Sequence, residues 1–464
     1  MGSRALTSLG LALLALLTAA AQFDLWQAGS AQAAPRQEER PAELVQRVSL
    51  GRIGVEGDSD SFRPSISADG QSVVFLSTAE NLVENDTNGL QDVFLFERDS
   101  KRISRITVGY DGSEPNGPSS DAQISSDGRF VAFVSEASNL TPDDNNGYAD
   151  VFLYDVESGD IRLLSKSASG EQGDDRSLQP SISGDGRFVA FISLADNLHE
   201  GDDNGVSDVY VYDRDEERLE LVSVDDGGAL ANHHSKHAAI SDDGRYVAYQ
   251  SMATNLVDAD EDDRWDIYLR DRQEGVTELI SRNLEGRSGS MDSQRPSISA
   301  GGRYVAFESW ADDLVPGDQN YYSDVFVMDR RTGEIELASV GNNGERANNV
   351  NGGAVISADG RFVAFSSMAG NLVSNDQNQM FDVYVRDRHS HRTQLISISV
   401  DGQAGGGASI SPALTAGGTY IVFDSGAEDL VLNDTNQRID VFVFNTSVTD
   451  TARYSVHLPV LLNP

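Results

Sequence analysis

The sequence predicts an all-β chain, a seven-bladed β-propeller of four-stranded antiparallel blades. Three observations carry that expectation. One acidic loop recurs seven times at an unbroken spacing of 58 residues, so that seven units account for 406 of the 464 residues. Within each unit the apolar segments are short, rich in β-branched and aromatic side chains, and bounded by Gly, Asp, Asn or Ser, which marks strands. No 3.6-residue periodicity lasts long enough for a helix. A single four-stranded sheet cannot cover both of its faces, so the units must stack, and seven copies closing radially make one ring.

Before the first unit, residues 1–34 read as an export signal. Arg4 supplies the positive end, Leu9–Leu17 is an apolar run too short to span a bilayer, and Ala31-Gln32-Ala33 offers a small-residue cleavage site. Residues 35–43 are then a linker, 44–449 the propeller and 450–464 a C-terminal tail. No membrane span is expected after signal removal, and the expected location is secreted, extracellular or periplasmic. The chain has no cysteine, which excludes thiol catalysis and thiolate metal sites. Its net charge of −39 argues against nucleic acid or an anionic membrane as partner, since phosphates are repelled. A monomer is expected.

The first unit shows the order of elements. Arg63 to Ser67 leads into the turn Ala68-Asp69-Gly70, and Val73 to Ser77 follows. After an acidic loop come Asp92 to Phe96, a turn at Asp99, and Ile103 to Val108. The inner strand repeats Ile66, Ile124, Ile182, Ile240, Ile298, Ile356 and Leu414, and the second repeats Phe75, Phe133, Phe191, Tyr249, Phe307, Phe365 and Phe423; these are packing residues. A hydroxyl recurs in the fourth segment at Thr107, Ser165, Ser223, Ser281, Ser339 and Ser397, and the same register reaches Ser49 and Ser455. Eight candidate fourth strands therefore compete for seven blades. The expected solution is that the N-terminal segment Gln46 to Leu50 completes the last blade beside Asp440 to Phe444 and covers its edge.

The strings PSISADGQSVVF, SSDGRFVAF, SGDGRFVAF and SDDGRYVAY, each followed by DVF, DVY or a close variant, resemble the WD40-like (PD40) repeat of the TolB-like propeller family. The resemblance runs from Arg63 to about Asn445. It implies the propeller fold and a binding scaffold; the family's translocation role needs a further domain that the chain does not show. Two units depart from the pattern, with Gly301-Gly302 and Gly417-Gly418 where the others have Asp-Gly, a change that a turn tolerates.

The acidic loop joins the second and third strands with the spacing Asp-x-Asn-x-x-x-Asp. Its copies are Asp86/Asn88/Asp92, Asp144/Asn146/Asp150, Asp202/Asn204/Asp208, Asp260/Asp262/Asp266, Asp318/Asn320/Asp324, Asp376/Asn378/Asp382 and Asp434/Asn436/Asp440. Side-chain oxygens at these positions can converge on a hard cation, calcium above all. The same residues also favour tight turns by bonding their own backbone, so ligation and turn chemistry both account for the pattern. An EF-hand is excluded, because the twelfth position, Glu97 in the first unit, lies roughly 16 Å along an extended strand from Asp92.

Other candidates are sparser. His233, His234 and His237 share one inter-blade connection and could hold a transition metal, with no fourth ligand apparent. Gly286-Arg287-Ser288-Gly289-Ser290 lacks the second Gly and the strand-to-helix context of a nucleophile elbow. Inter-blade connections such as Gly109 to Asp121, Asp225 to His237 and Gly341 to Gly353 vary among units and share a face with the acidic loops, so recognition is expected there. The leading expectation is a secreted, non-enzymatic scaffold that binds protein or glycan, its acidic loops stiffened by calcium. The alternative is a secreted hydrolase or lyase with a metal at the channel mouth; a third reading is a matrix protein whose acidic face binds cations. An enzyme should gather several non-repeated polar residues at one spot in the channel, whereas a scaffold should show only repeated ones.

Overall fold

The computed structural model describes residues 44–260 and 262–448. The expected export signal, the linker and the C-terminal tail with Ser455 lie outside these residues. The described chain forms seven four-stranded antiparallel sheets with almost no helix. Among the described residues no helix is long and apolar enough to cross a membrane. In the first blade the strands are Ser61–Ile66, Ser72–Ser77, Asp92–Glu97 and Arg102–Arg105, hydrogen-bonded in sequence order. The recurring hydroxyl falls just beyond the fourth strand, and its role emerges with the acidic loops below.

The seventh blade has three strands of its own, Ser409–Leu414, Tyr420–Ser425 and Asp440–Asn445. Its fourth is Val45–Arg47, which pairs antiparallel with Asp440–Asn445 and sets Gln46 opposite Val443. The Val48 N–H donates to the Val441 carbonyl at 2.9 Å and continues the zipper. Joining the two ends of the chain in one sheet covers an edge and closes the ring.

Alternation along each strand sends successive side chains toward opposite neighbours. Val74, Leu76, Val93 and Leu95 of the first blade therefore share one core with Phe133 and Phe152 of the second. The repeated aromatic of the second strand stacks on one from the third in every blade, as with Phe75 and Phe94, whose ring centroids are 5.9 Å apart.

On the face opposite the acidic loops, the turns after the first strands hydrogen-bond to one another around the axis. Asp242 N–H donates to Ala300 O at 3.1 Å, Ala300 N–H to Ala358 O at 3.1 Å and Ala358 N–H to Ala416 O at 3.1 Å. The turns themselves are held by side chains: Ser67 Oγ donates to Asp69 Oδ1 at 2.6 Å, and Asp69 Oδ1 also accepts from Gln71 N–H. Where Gly301 and Gly417 replace the aspartate, Ser299 Oγ and Thr415 Oγ1 still accept the backbone N–H of Tyr304 and Tyr420. The second turn glycine is constrained differently. Gly360 has φ of +73°, and a Cβ there would overlap the Tyr304 ring of the preceding blade. That ring is pinned beneath Arg388, 4.4 Å from its centroid, and Arg303, 4.5 Å away. Gly360→Ala is expected to destabilise the chain by about 1–3 kcal/mol through overpacking and left-handed strain, read as a lowered urea midpoint with an unchanged m-value.

Candidate functional site

The first strand of each blade lines the axis, and each breaks its pairing with a bulge. In the first blade the register jumps between Phe62 and Ser65. The same jump occurs in the other six blades. At the third residue of every inner strand the backbone is left-handed, with φ of 50° at Arg63, 49° at Asp121, 53° at Gln179, 49° at His237, 50° at Arg295, 64° at Gly353 and 54° at Ser411. Glycine takes that conformation freely and other residues pay roughly 1–2 kcal/mol. Yet six of the seven positions carry a polar side chain, and the seven positions hold six residue types. A bulge re-aims the side chain it carries. The result is a ring of non-repeated polar groups around the channel, near the acidic-loop face, inside an otherwise repetitive strand.

These groups engage across blades. Arg63 Nη1 donates to Asp121 Oδ1 at 2.7 Å. His237 N–H donates to Gln179 Oε1 at 3.1 Å, and the His237 Nε2 stands 3.4 Å from Gln179 Nε2. A second layer supports the ring from the second strands. Where the first three blades have Leu76, Val134 and Ile192, the last four have Gln250, Glu308, Ser366 and Asp424. Gln250 Oε1 accepts the Arg295 N–H at 3.0 Å, Glu308 Oε1 accepts the Gly353 N–H, and Asp424 Oδ2 accepts the Arg63 N–H at 2.8 Å. All three side chains are buried. Arg295 Nη1 lies 3.8 Å from Glu308 Oε1. The bulges in three blades are thus fastened by the neighbouring blade's buried polar side chain.

Electrostatics singles out His237. Burial lowers its pKa to about 4, and the charges of Arg295, Lys236 and Arg63 push the same way. The imidazole is therefore neutral at neutral pH, in the field of Arg63 and Arg295 from two other blades. Burial raises Glu308, against the opposing charge of Arg295, and raises Asp424 to about 6, against its bond from the Arg63 backbone. His233 and His234 do not join His237: their rings meet edge to face at 5.3 Å, and the His234 Nδ1 accepts from Ser207 N–H. Ser288 of the elbow-like string forms an isolated bridge with Arg282.

The acidic loops are placed with equal regularity. In six of them the Asn Oδ1 accepts a backbone N–H two residues on, at 2.8–3.1 Å, and the Asn Nδ2 donates to the second Asp at 2.6–3.4 Å. So Asn88, Asn146, Asn204, Asn320, Asn378 and Asn436 present a donor, not an oxygen, between the two carboxylates. The other oxygen of Asp92, Asp150, Asp208, Asp266, Asp324, Asp382 and Asp440 accepts the recurring hydroxyl, from Thr107, Ser165, Ser223, Ser281, Ser339, Ser397 and Ser49, at 2.5–2.6 Å. The first Asp of each loop is matched by a donor that changes from blade to blade. Tyr210, Tyr268 and Tyr384 bond Asp202, Asp260 and Asp376. Where the third strand has Phe instead, Arg105, Gln172, Arg346 and Arg47 reach Asp86, Asp144, Asp318 and Asp434. Among the described residues, the geometry brings three ligating side chains together in the fourth loop, where Asp260, Asp262 and Asp266 offer oxygens within 4.8 Å of one another.

Sequence reasoning passed over the inner-strand ring and the variable donors. The signal was present in both cases as departures from the repeat: six residue types in one column of the inner strand, and Arg47 and Arg105 in a column otherwise filled by Leu163, Leu221, Leu279, Leu337 and Leu395.

No family model matches the chain, and no curated protein matches its sequence. Solved structures match its shape. An oligogalacturonate lyase from Vibrio parahaemolyticus is 14% identical, with 86% of this chain and 93% of that one covered and a TM-score of 0.52. An oligogalacturonate lyase in complex with manganese is 12% identical, with 87% and 94% covered and a TM-score of 0.52. A putative TolB from Agrobacterium tumefaciens is 18% identical over 60% of this chain and 80% of that one, with a TM-score of 0.38. The fold is that of a seven-bladed β-propeller. At these identities the likeness is one of fold.

The expectation of a non-enzymatic scaffold is corrected by these neighbours. It rested on the absence of a further domain beside the propeller. In both lyases the fold shared with this chain covers more than nine-tenths of the enzyme, so a propeller of this kind needs no appended domain for catalysis. The ring of non-repeated polar residues departs from the purely repeated pattern expected of a scaffold.

Proposed function

We propose that the chain is an exported lyase that cleaves a carboxylate-bearing glycan at the acidic-loop mouth of its channel. The observation that carries this reading is the inner-strand ring: neutral His237, backed by Gln179, with Arg63 and Arg295 at the equivalent bulge positions of two other blades and their charge felt at the imidazole. β-Elimination from a uronic acid needs a base for the proton next to the carboxylate and positive charge to stabilise the carbanionic transition state. Arg63 and Arg295 supply that charge. His237 takes the proton, the carbon–carbon double bond forms as the glycosidic C–O bond on the adjacent carbon breaks, and the expelled oxygen takes a proton from water, giving an unsaturated sugar end and a new reducing end. Cationic groups at the channel draw an anionic substrate there despite the overall negative charge.

The channel does not fit a manganese site. His237 is the one histidine of the ring, Asp121 is taken up by Arg63, and the three-ligand group among the described residues lies in the fourth acidic loop. No step is therefore routed through a metal. Calcium, the cation expected for an all-oxygen set, has no part in this chemistry.

The test is incubation of the mature chain with oligogalacturonate, other uronate-containing glycans and neutral glycans, reading ultraviolet absorbance of unsaturated ends and new reducing ends. Unsaturated ends from a uronate glycan are expected. New reducing ends without unsaturation would make the chain a hydrolase, and neither product would overturn the enzymatic reading. With a substrate in hand, Arg63→Ala and Arg295→Ala are each expected to raise KM and lower kcat/KM by about ten- to a hundredfold, the range for losing one charged hydrogen bond.

A further inference from the structure

We infer that the fourth acidic loop, unlike the other six, is a binding site for a single hard divalent cation of calcium size, held by Asp260, Asp262 and Asp266. The inference rests on the acidic loops and not on the lyase reading. In six blades an asparagine amide fills the space between two carboxylates and satisfies the second one. In the fourth blade Asp262 stands where the others have Asn, so that donor is missing. The consequence is visible in the hydrogen bonds. Asp266 is fully buried, its Oδ1 accepts from Ser281 Oγ at 2.6 Å, and its Oδ2 has no partner. The equivalent oxygen is bonded by Asn Nδ2 in each of the other six blades. A buried carboxylate oxygen with no donor is costly.

The surroundings fit a cation and not another amide. Asp260 is held by the Tyr268 hydroxyl and by Asp262 N–H at 3.2 Å, and Asp262 Oδ1 accepts Arg264 N–H at 3.0 Å. Asp262 Oδ2 lies 3.7 Å from Arg264 Nε, and the Asp262 side chain is 37% exposed to solvent. Calcium binds oxygens at about 2.3–2.6 Å, so any two of its ligands are at most about 5 Å apart. The three carboxylate oxygens already meet that limit, lying within 4.8 Å of one another. Three carboxylates carry the charge for a hard ion, and water completes the shell.

The decisive variant is Asp262→Asn, which gives the fourth loop the amide of its six sisters and so should fold. Calorimetric titration of the metal-free mature chain with calcium should show one ion per chain, with Kd of about 10⁻⁴–10⁻³ M as for extracellular sites. Millimolar calcium should raise the melting temperature of the wild type and leave that of Asp262→Asn unchanged. Without calcium, the variant should melt at or above the wild type, because its amide serves Asp266. Absence of binding, seven ions per chain, undiminished binding by Asp262→Asn, or a calcium-free variant far less stable than wild type would each overturn the inference.

Discussion

Arg47→Ala is expected to destabilise the chain by about 3–5 kcal/mol, the usual cost of removing one partner from a buried charge cluster. Arg47 is 8% exposed, with Nη1 2.8 Å from Asp434 and 3.2 Å from Asp440, and Nη2 2.8 Å from Glu56. Even with the guanidinium in place, burial holds the Asp434 pKa up at about 6. Without it, two buried carboxylates face each other with one hydroxyl and one amide between them. Arg47 also belongs to the strand that closes the ring, so its loss loosens the one joint held by no covalent connection. Arg105→Ala makes a useful comparison. It removes the same chemistry from the first blade, where Arg105 Nη1 lies 2.9 Å from Asp86 and 3.4 Å from Asp92, without touching the closing strand. Urea unfolding of both variants separates the electrostatic loss they share from the closure loss specific to Arg47. Adding Asp434→Asn to Arg47→Ala should recover part of the deficit. A loss below about 1 kcal/mol for Arg47→Ala would class the cluster with exposed pairs.

His237→Ala is expected to lower kcat by about 10²–10⁴-fold on a cleaved uronate glycan, the range for losing a general base, while the melting temperature changes little. The pH profile distinguishes a base from a spacer. A free-enzyme pKa of about 4 means that kcat/KM should rise with pH through about 4 and stay flat at neutral pH. A bound carboxylate offsets the charges of Arg63 and Arg295, which now hold the imidazole down together with burial. The inflection in kcat should therefore lie above that in kcat/KM, moved toward the ordinary value of 6.5. Arg295→Ala should bring the two inflections closer together. Coincident inflections in the wild type, or a His237→Ala variant of undiminished kcat, would remove His237 from the chemistry. The same shift carries a stability term. With the folded pKa below the unfolded one, His237 contributes stability above about 6.5 that is lost as pH falls toward about 4, so the acid limb must be measured within the folded range.

Much of the architecture was legible because the repeat is strict. A constant 58-residue spacing with short β-branched segments admits few folds, and the hydroxyl register at Ser49 exposed the N-terminal segment as a fourth strand waiting for a blade. The same hydroxyl proved to be the obligatory partner of the second loop aspartate, a pairing across strands that spacing cannot show. The loop itself was legible as oxygen-rich and as a turn. Which description applies depends on where one amide nitrogen points, and six loops spend their Asn on the turn and on the neighbouring carboxylate. Function was not legible in what repeats. Arg63, Asp121, Gln179, His237 and Arg295 look like noise in a column of a strand until the bulge turns them toward the channel.

The sequence by itself determined the blade count, the strand order and the packing columns, and it narrowed the ring-closing strand to two terminal segments. Each of these follows from local periodicity and from the need of every sheet to bury both faces. Only the tertiary structure decided which side chains meet. Closure brings Arg47 to Asp434 across 387 positions, seats Asp424 of the last blade against Arg63 of the first, and gathers the odd residues of separate repeats on one rim. Those encounters depend on radial closure and on left-handed bulges, which place side chains by angle about an axis and not by distance along the chain.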